Sequence, residues 1–130
     1  MISGVQKVNL PAEDLVRARD FWVGAIGFEL VSDAAYDDTG DPQRRWVELV
    51  PPDKRVVLVL SPPEAGQPSA AGRLSCVLFE CEDIEATHRE LTGRGVQFTS
   101  PPAEQFYGWS AIFTDPDGHL YVLNQRSRSE

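Results

Sequence analysis

The sequence predicts an α+β protein made of two tandem β-α-β-β-β modules, and three observations carry that prediction. Phe113–Leu123 reads as strand, tight turn, strand: Pro116 presets φ for the second turn position, and Asp117 and Gly118 suit the third and fourth. The chain then says this twice, because Trp46–Lys54 followed by Val56–Leu60 has the layout of Trp109 through Asn124. Finally, Glu13-Asp14-Leu15 lies 69 positions before Glu82-Asp83-Ile84, and Gly27 lies 68 before Gly95. A register held to one residue over a strand–helix unit marks an internal duplication. The modules span about 1–61 and 73–130 of a single domain, joined by a linker over 61–72.

In order, Val5–Leu10 alternates as a strand. Pro11-Ala12-Glu13-Asp14 stops it and offers Asp14 as a helix N-cap. Leu15, Ala18, Trp22 and Ile26 recur at helical spacing, and Gly27 supplies the left-handed stop. Phe28–Val31 is a short strand, and Ser32–Arg44, rich in Asp with Gly40 and Pro42, reads as a mobile loop. The first hairpin follows, over Arg45–Leu60, and then Pro, Gly, Ser and Ala dominate the linker. Leu74–Cys81 restarts the pattern as a strand. Asp83 caps a helix marked by Ile84, Thr87 and Leu91, Val96–Phe98 is a strand, and Ser100–Gly108 reads as a loop and candidate lid carrying Phe106 and Tyr107.

Composition narrows the function. With 42% hydrophobic and 25% charged residues the chain is of ordinary globular type. No apolar run reaches the roughly 20 residues of a membrane span, and Met1–Val5 lacks the features of a signal peptide, so a cytoplasmic location is expected. A net charge of −8 argues against nucleic acid as a partner and is compatible with a cationic ligand. Cys76 and Cys81 lie five apart on one strand, which sends their side chains to opposite faces and makes free thiols the expectation.

Ala12-Glu13-Asp14-Leu15, Ala18-Arg19-Asp20-Phe21-Trp22 and Ile26-Gly27-Phe28-Glu29-Leu30 resemble the first strand-helix-strand of the vicinal oxygen chelate superfamily, which includes glyoxalase I, bleomycin-resistance proteins and extradiol dioxygenases. Phe113-Thr114-Asp115-Pro116-Asp117-Gly118 is similar to that family's closing hairpin. The resemblance implies that each module curls into an open half-barrel with its helix outside, and that two modules complete a ligand cavity within one chain or across a homodimer. Val8, Leu10, Val77 and Phe79 would then face the helices, and Lys7, Asn9, Cys76 and Leu78 the cavity.

The resemblance also implies four inward positions at which the family's enzymes hold a divalent metal, seven residues before each helix cap and four past each hairpin turn. These are Lys7, Cys76, Val122 and Leu58, or Val59 with a one-residue slip. An ammonium and hydrocarbon side chains have no lone pair to give, and a single thiolate falls short of the three or four protein ligands of a stable site. No metal and no other cofactor is therefore expected, which removes the Lewis acid for enediolate stabilisation or oxygen activation. His88, on the helix, and His119, after the turn glycine, read as boundary or solvent-facing residues.

The candidate ligand-binding residues are Lys7, Asn9, Trp46, Glu48, Cys76, Tyr107, Trp109 and Asn124, with Phe106 nearby; Trp46 and Trp109 take equivalent repeat positions. Aromatic faces beside carboxylates suit a planar or cationic compound, and Lys7 and Asn9 would orient an oxygen-bearing group. This predicts a metal-free small-molecule-binding protein of the resistance or sequestration kind. The alternative is a lyase, isomerase or dioxygenase of the same superfamily with displaced ligands or metal-free acid–base chemistry at Glu48, Lys7 or Cys76. A purely structural or partner-binding domain is the third reading.

Overall fold

In the computed structural model, which describes residues 1–35, 37–63 and 65–126, the chain divides into two compact units, Met1–Pro68 and Ser69–Glu130. Each is an open four-stranded sheet carrying a helix.

The first unit contains β1 (Lys7–Pro11), α1 (Leu15–Asp20), β2 (Glu29–Ala35), β3 (Arg45–Val50) and β4 (Val57–Ser61). Its strand order is β1-β4-β3-β2, with β1 parallel to β4 and the other neighbours antiparallel. Asp14 caps α1 by accepting the Arg17 N–H at 3.0 Å. Past Asp20 the coil widens into a π-helical run, Phe21–Ile26, in which the N–H groups of Gly27 and Phe28 both donate to the Trp22 carbonyl. Gly27 closes it at φ 92°, where a Cβ is disfavoured. Leu15, Ala18 and Trp22 are buried with Leu10, Val47, Leu49, Leu58 and Leu60, forming the core of this unit.

The second unit repeats the plan with β5 (Leu74–Cys81), α2 (Ile84–Gly93), β6 (Gln97–Gln105), β7 (Gly108–Thr114) and β8 (Leu120–Gln125), in the order β5-β8-β7-β6. Asp83 caps α2 by accepting the Ala86 N–H at 3.1 Å. One face of this sheet carries an aromatic cluster. Phe113 lies 5.4 Å from Tyr121 and 5.9 Å from Phe98 between ring centroids, and His88 of α2 meets Phe98 edge-on at 4.6 Å.

Two segments depart from the sequence reading for the same reason, strand pairing that outlasts the local signal. β2 continues through Ala35, because Ser32–Ala35 pair with Glu48–Arg45 beyond a bulge, so the loop expected from Ser32 starts later. The loop that follows is densely bonded: Asp37 accepts from the Thr39 N–H and hydroxyl and pairs with Arg44. The expected lid over 100–108 is mostly strand. β6 runs to Gln105, with Pro101 and Pro102 set in a bulge between the pairs Ser100–Ile112 and Ala103–Ser110. Prolines are tolerated at a sheet rim and at bulges, which is why two of them did not end the strand. At the junction, Ser61 is a buried part of β4, while the Gly72 N–H donates to the Gly118 carbonyl and the Leu120 N–H to the Arg73 carbonyl.

Candidate functional site

Strand alternation assigns the faces of the first sheet, and two ion pairs fix which face is which. Arg19 of α1 donates to Asp33 at 2.7 Å, so Asp33, its partner Val47 and Arg45 lie on the helix side. Lys7 and Glu48 meet on the opposite, open side, with Nζ 2.6 Å from Oε1. The register places Lys7, Asn9, Val57, Val59, Ser61, Trp46 and Glu48 on this open face. Asn9 belongs to it as well: the Ser61 hydroxyl donates to its Oδ1 at 2.8 Å. The ammonium of the ion pair is the more accessible partner, at 39% against 16% for the carboxylate. An ion pair this exposed adds about 0–1 kcal/mol to stability, so its position matters more than its strength.

The open face of the second sheet is set by the pairs Leu78–Val122, Glu80–Asn124, Ile112–Val122 and Ser110–Asn124. Cys76 and Leu78 are exposed on β5, while Val77 and Phe79 alternate away from them. Cys76 and Cys81 are both free thiols; burial pushes the Cys81 thiol up. Asn124 Oδ1 is buried and has no hydrogen-bond partner among the described residues. Such an acceptor carries an unmet desolvation penalty of about 1–3 kcal/mol.

Four sequence assignments need correction. Leu58 does not point to the open face: it pairs with Leu49 and Val8 and is buried on the helix side. The slip arises because β4 opens three residues after Lys54, whereas β8 opens two after Gly118, so Val59 is the counterpart of Val122. Trp109 alternates with Ser110 and therefore lies with Ala111 and Phe113 on the helix side. Its counterpart by register is Arg45, and Trp46 corresponds to Ser110, so the two tryptophans are not equivalent. His119 is buried, not solvent-facing, with Nδ1 3.2 Å from the Tyr121 hydroxyl. Tyr107 and Phe106 form the exposed two-residue tip of the β6–β7 hairpin, their rings edge-on at 4.9 Å.

Two polar clusters escaped the sequence reading. Asp33 accepts from both Arg19 and Arg45; burial alone would raise its pKa, but the two guanidinium bonds outweigh it and hold the carboxyl below the usual range. Reading Ser32–Ala35 as strand would have put Asp33, through its partner Val47, on the same sheet face as Arg45. Asp115 accepts the Tyr121 hydroxyl at 2.9 Å and the N–H groups of Asp117 and His119; burial pushes its carboxyl up. His119, just before β8, and Tyr121, two residues on, were the available signal. A shallow groove of about 490 Å³ lies between α2 and β6, lined by His88, Thr92 and Gly95–Phe98 and away from the open face. Among the described residues no three His, Cys, Asp or Glu side chains cluster as a metal site would require.

Comparison with known proteins agrees with this architecture. The model of the glyoxalase/bleomycin resistance protein/dioxygenase superfamily matches residues 4–123. The uncharacterized protein YetH of Bacillus subtilis (strain 168) is 31% identical over 125 residues, 96% of this chain and 100% of YetH. Among solved structures, TnmS3, an antibiotic binding protein from Streptomyces sp. CB03234, is 31% identical with a TM-score of 0.80, covering 97% of this chain and 98% of that one. A superfamily member from Sphaerobacter thermophilus DSM 20745 is 32% identical with a TM-score of 0.79, covering 96% and 98%.

Proposed function

The chain belongs to the glyoxalase/bleomycin resistance protein/dioxygenase superfamily, and on that premise we propose that it is a metal-independent small-molecule-binding member acting in resistance or sequestration. The observation that carries this reading is the chemistry of the four positions at which the family's enzymes ligate metal. They hold Lys7, already paired with Glu48, and Val59, Cys76 and Val122. A protonated amine repels a dication, two valines offer no lone pair, and one thiolate does not hold an ion. These residues do not fit the family's metal, so no reaction step is built on it.

The candidate contact residues lie on the open side of each sheet taken by itself: Trp46, Glu48, Lys7 and Asn9 in the first unit, and Cys76 and Asn124 in the second, where Tyr107 sits at a hairpin tip. The unpartnered Asn124 Oδ1 supports a ligand donor in its vicinity, and the likeness to an antibiotic binding protein supports a small organic ligand. Trp46 offers a stacking face; Trp109, on the helix side, is withdrawn from the contact set. The same reading carries a homodimer in the cytoplasm.

The test is a tryptophan-quenching screen of planar aromatic compounds on protein purified without chelator, with metal analysis of the same sample. Binding that survives EDTA, with far less than one equivalent of Ni, Zn, Fe or Mn per chain, is expected. Stoichiometric metal, or binding abolished by EDTA, favours a metalloenzyme instead. Sedimentation at micromolar concentration tests the dimer.

A further inference from the structure

From the open face of the first sheet we infer the chemical class of the ligand: an aromatic compound bearing an anionic or strongly accepting oxygen, anchored by the ammonium of Lys7 and the amide N–H groups of Asn9. The inference rests on the small-molecule reading above and specifies it.

The polar groups on this face are not balanced in what they offer. Glu48 is the more covered member of its ion pair and Lys7 the more accessible, so the charge that meets an arriving molecule is positive. An ammonium has three donors, and the 2.6 Å contact to Oε1 engages one direction of them. Asn9 is committed in the complementary sense. Its oxygen takes the proton of the buried Ser61 hydroxyl, which leaves its two N–H donors without an acceptor among the described residues. Beside these groups β4 contributes Val57, Val59 and Ser61 to the face, and the Ser61 hydroxyl is the one already committed to Asn9.

Spacing completes the case. Lys7 and Asn9 are two residues apart on one strand, so their Cα atoms are roughly 7 Å apart along it and their side chains share a face. Trp46 stands two residues from Glu48, on the same face of β3. Two donors beside an indole fit a ring that carries a carboxylate or phenolate. A cationic ring meets the ammonium instead, and the carboxylate that would attract it is already neutralised.

Isothermal titration with three naphthalene probes of equal ring size tests this: 1-hydroxy-2-naphthoate, 1-naphthylmethanol and 1-naphthylmethylammonium. The naphthoate is expected to bind at least ten times more tightly than the ammonium probe. Lys7→Met lowers naphthoate affinity about tenfold and the alcohol's by much less, Lys7→Arg retains naphthoate affinity, and Glu48→Gln strengthens it by releasing the amine. Asn9→Asp weakens the naphthoate. Thermal melts establish that each variant is folded, and the Lys7→Met/Glu48→Gln double variant removes any effect of a stranded carboxylate. Equal or tighter binding of the ammonium probe, or naphthoate affinity indifferent to Lys7→Met, overturns the assignment and leaves the binding function standing. Binding of none of the three overturns the binding function with it.

Discussion

The side-chain oxygen of Gln125 accepts the backbone N–H of Ile84 at 2.9 Å, so the final residue of β8 caps the first residue of α2. Gln43 does the same for Leu15 at 2.6 Å, and its amide also donates to Asp14 at 3.2 Å. Each helix therefore starts with two side-chain acceptors on its orphan N–H groups, an aspartate in the adjoining turn and a glutamine from a distant segment. Replacing Gln125 or Gln43 with Leu is expected to lower unfolding stability by about 1 kcal/mol each, and Asp14→Ala or Asp83→Ala by about as much. Urea midpoints that do not move for the glutamine variants would remove the distant caps from the account.

The two hairpin turns differ at their first and fourth residues, and the fourth invites opposite substitutions in the two. Gly118 has φ 83° and Lys54, the corresponding residue of the first hairpin, φ 57°. Their N–H groups donate to Asp115 and Pro51 in the same way. A side chain at left-handed φ costs about 1–2 kcal/mol, and glycine loses about 0.5–1 of that through the freer unfolded chain. Lys54→Gly is expected to stabilise the protein by about 0.5–1 kcal/mol. Gly118→Ala is expected to destabilise it by at least that much through the positive φ, its new Cβ meeting the Ala71 Cβ at an ordinary contact distance of 3.5 Å. Thermal melts of the two variants moving in the same direction would sink this argument.

Asp115 links stability to pH in an unusual sense. Burial raises its folded-state pKa above the ordinary carboxylate value near 4, against the hydrogen bonds from Tyr121 and the His119 N–H. Such a group contributes stability that is full below the unfolded pKa and is lost as pH rises through the folded one. Asp115→Asn lacks this titration, so its stability relative to the wild type should improve from pH 4 to pH 7. Asp115→Ala strands the Asp117 and His119 N–H groups and should cost about 1–3 kcal/mol throughout. Chemical denaturation at three pH values measures both.

Asp33 has the opposite sign. Despite burial, the bonds from Arg45 and Arg19 depress its pKa, so its contribution is present above pH 4 and disappears as pH falls through the depressed value. Asp37, lowered to about 2 by the Thr39 hydroxyl and then by Arg44, titrates in the same acid range. Asp33→Asn should therefore destabilise by about 1–3 kcal/mol at pH 7 and by much less near pH 2. A gap between variant and wild type that is constant across that range would contradict it.

The duplication was legible because it is written in local signals: two helix-capping aspartates, two left-handed glycines after the helices, and two strand–turn–strand patterns. β5 runs over Leu74–Cys81 as read, and its alternation puts Cys76 and Leu78 opposite Val77 and Phe79. Position within the candidate site was less legible, because a face depends on register. The extra residue between Lys54 and β4 flips Leu58 and Val59 between faces without changing the composition of the strand. The Lys7–Glu48 pair bridges residues far apart in sequence across a strand that lies between them. Pro101 and Pro102 hid the continuation of β6 from Ser100 to Gln105, since propensity alone favours a loop there.

Those two prolines have an effect beyond their own hairpin. β6 is the outermost strand of its sheet, and the bulge at residues 101–102 bends its ladder and strips two amide donors from it. A neighbouring polypeptide meets no regular row of partners at residues 101–102, so the bulge works against fibre-like pairing along that rim.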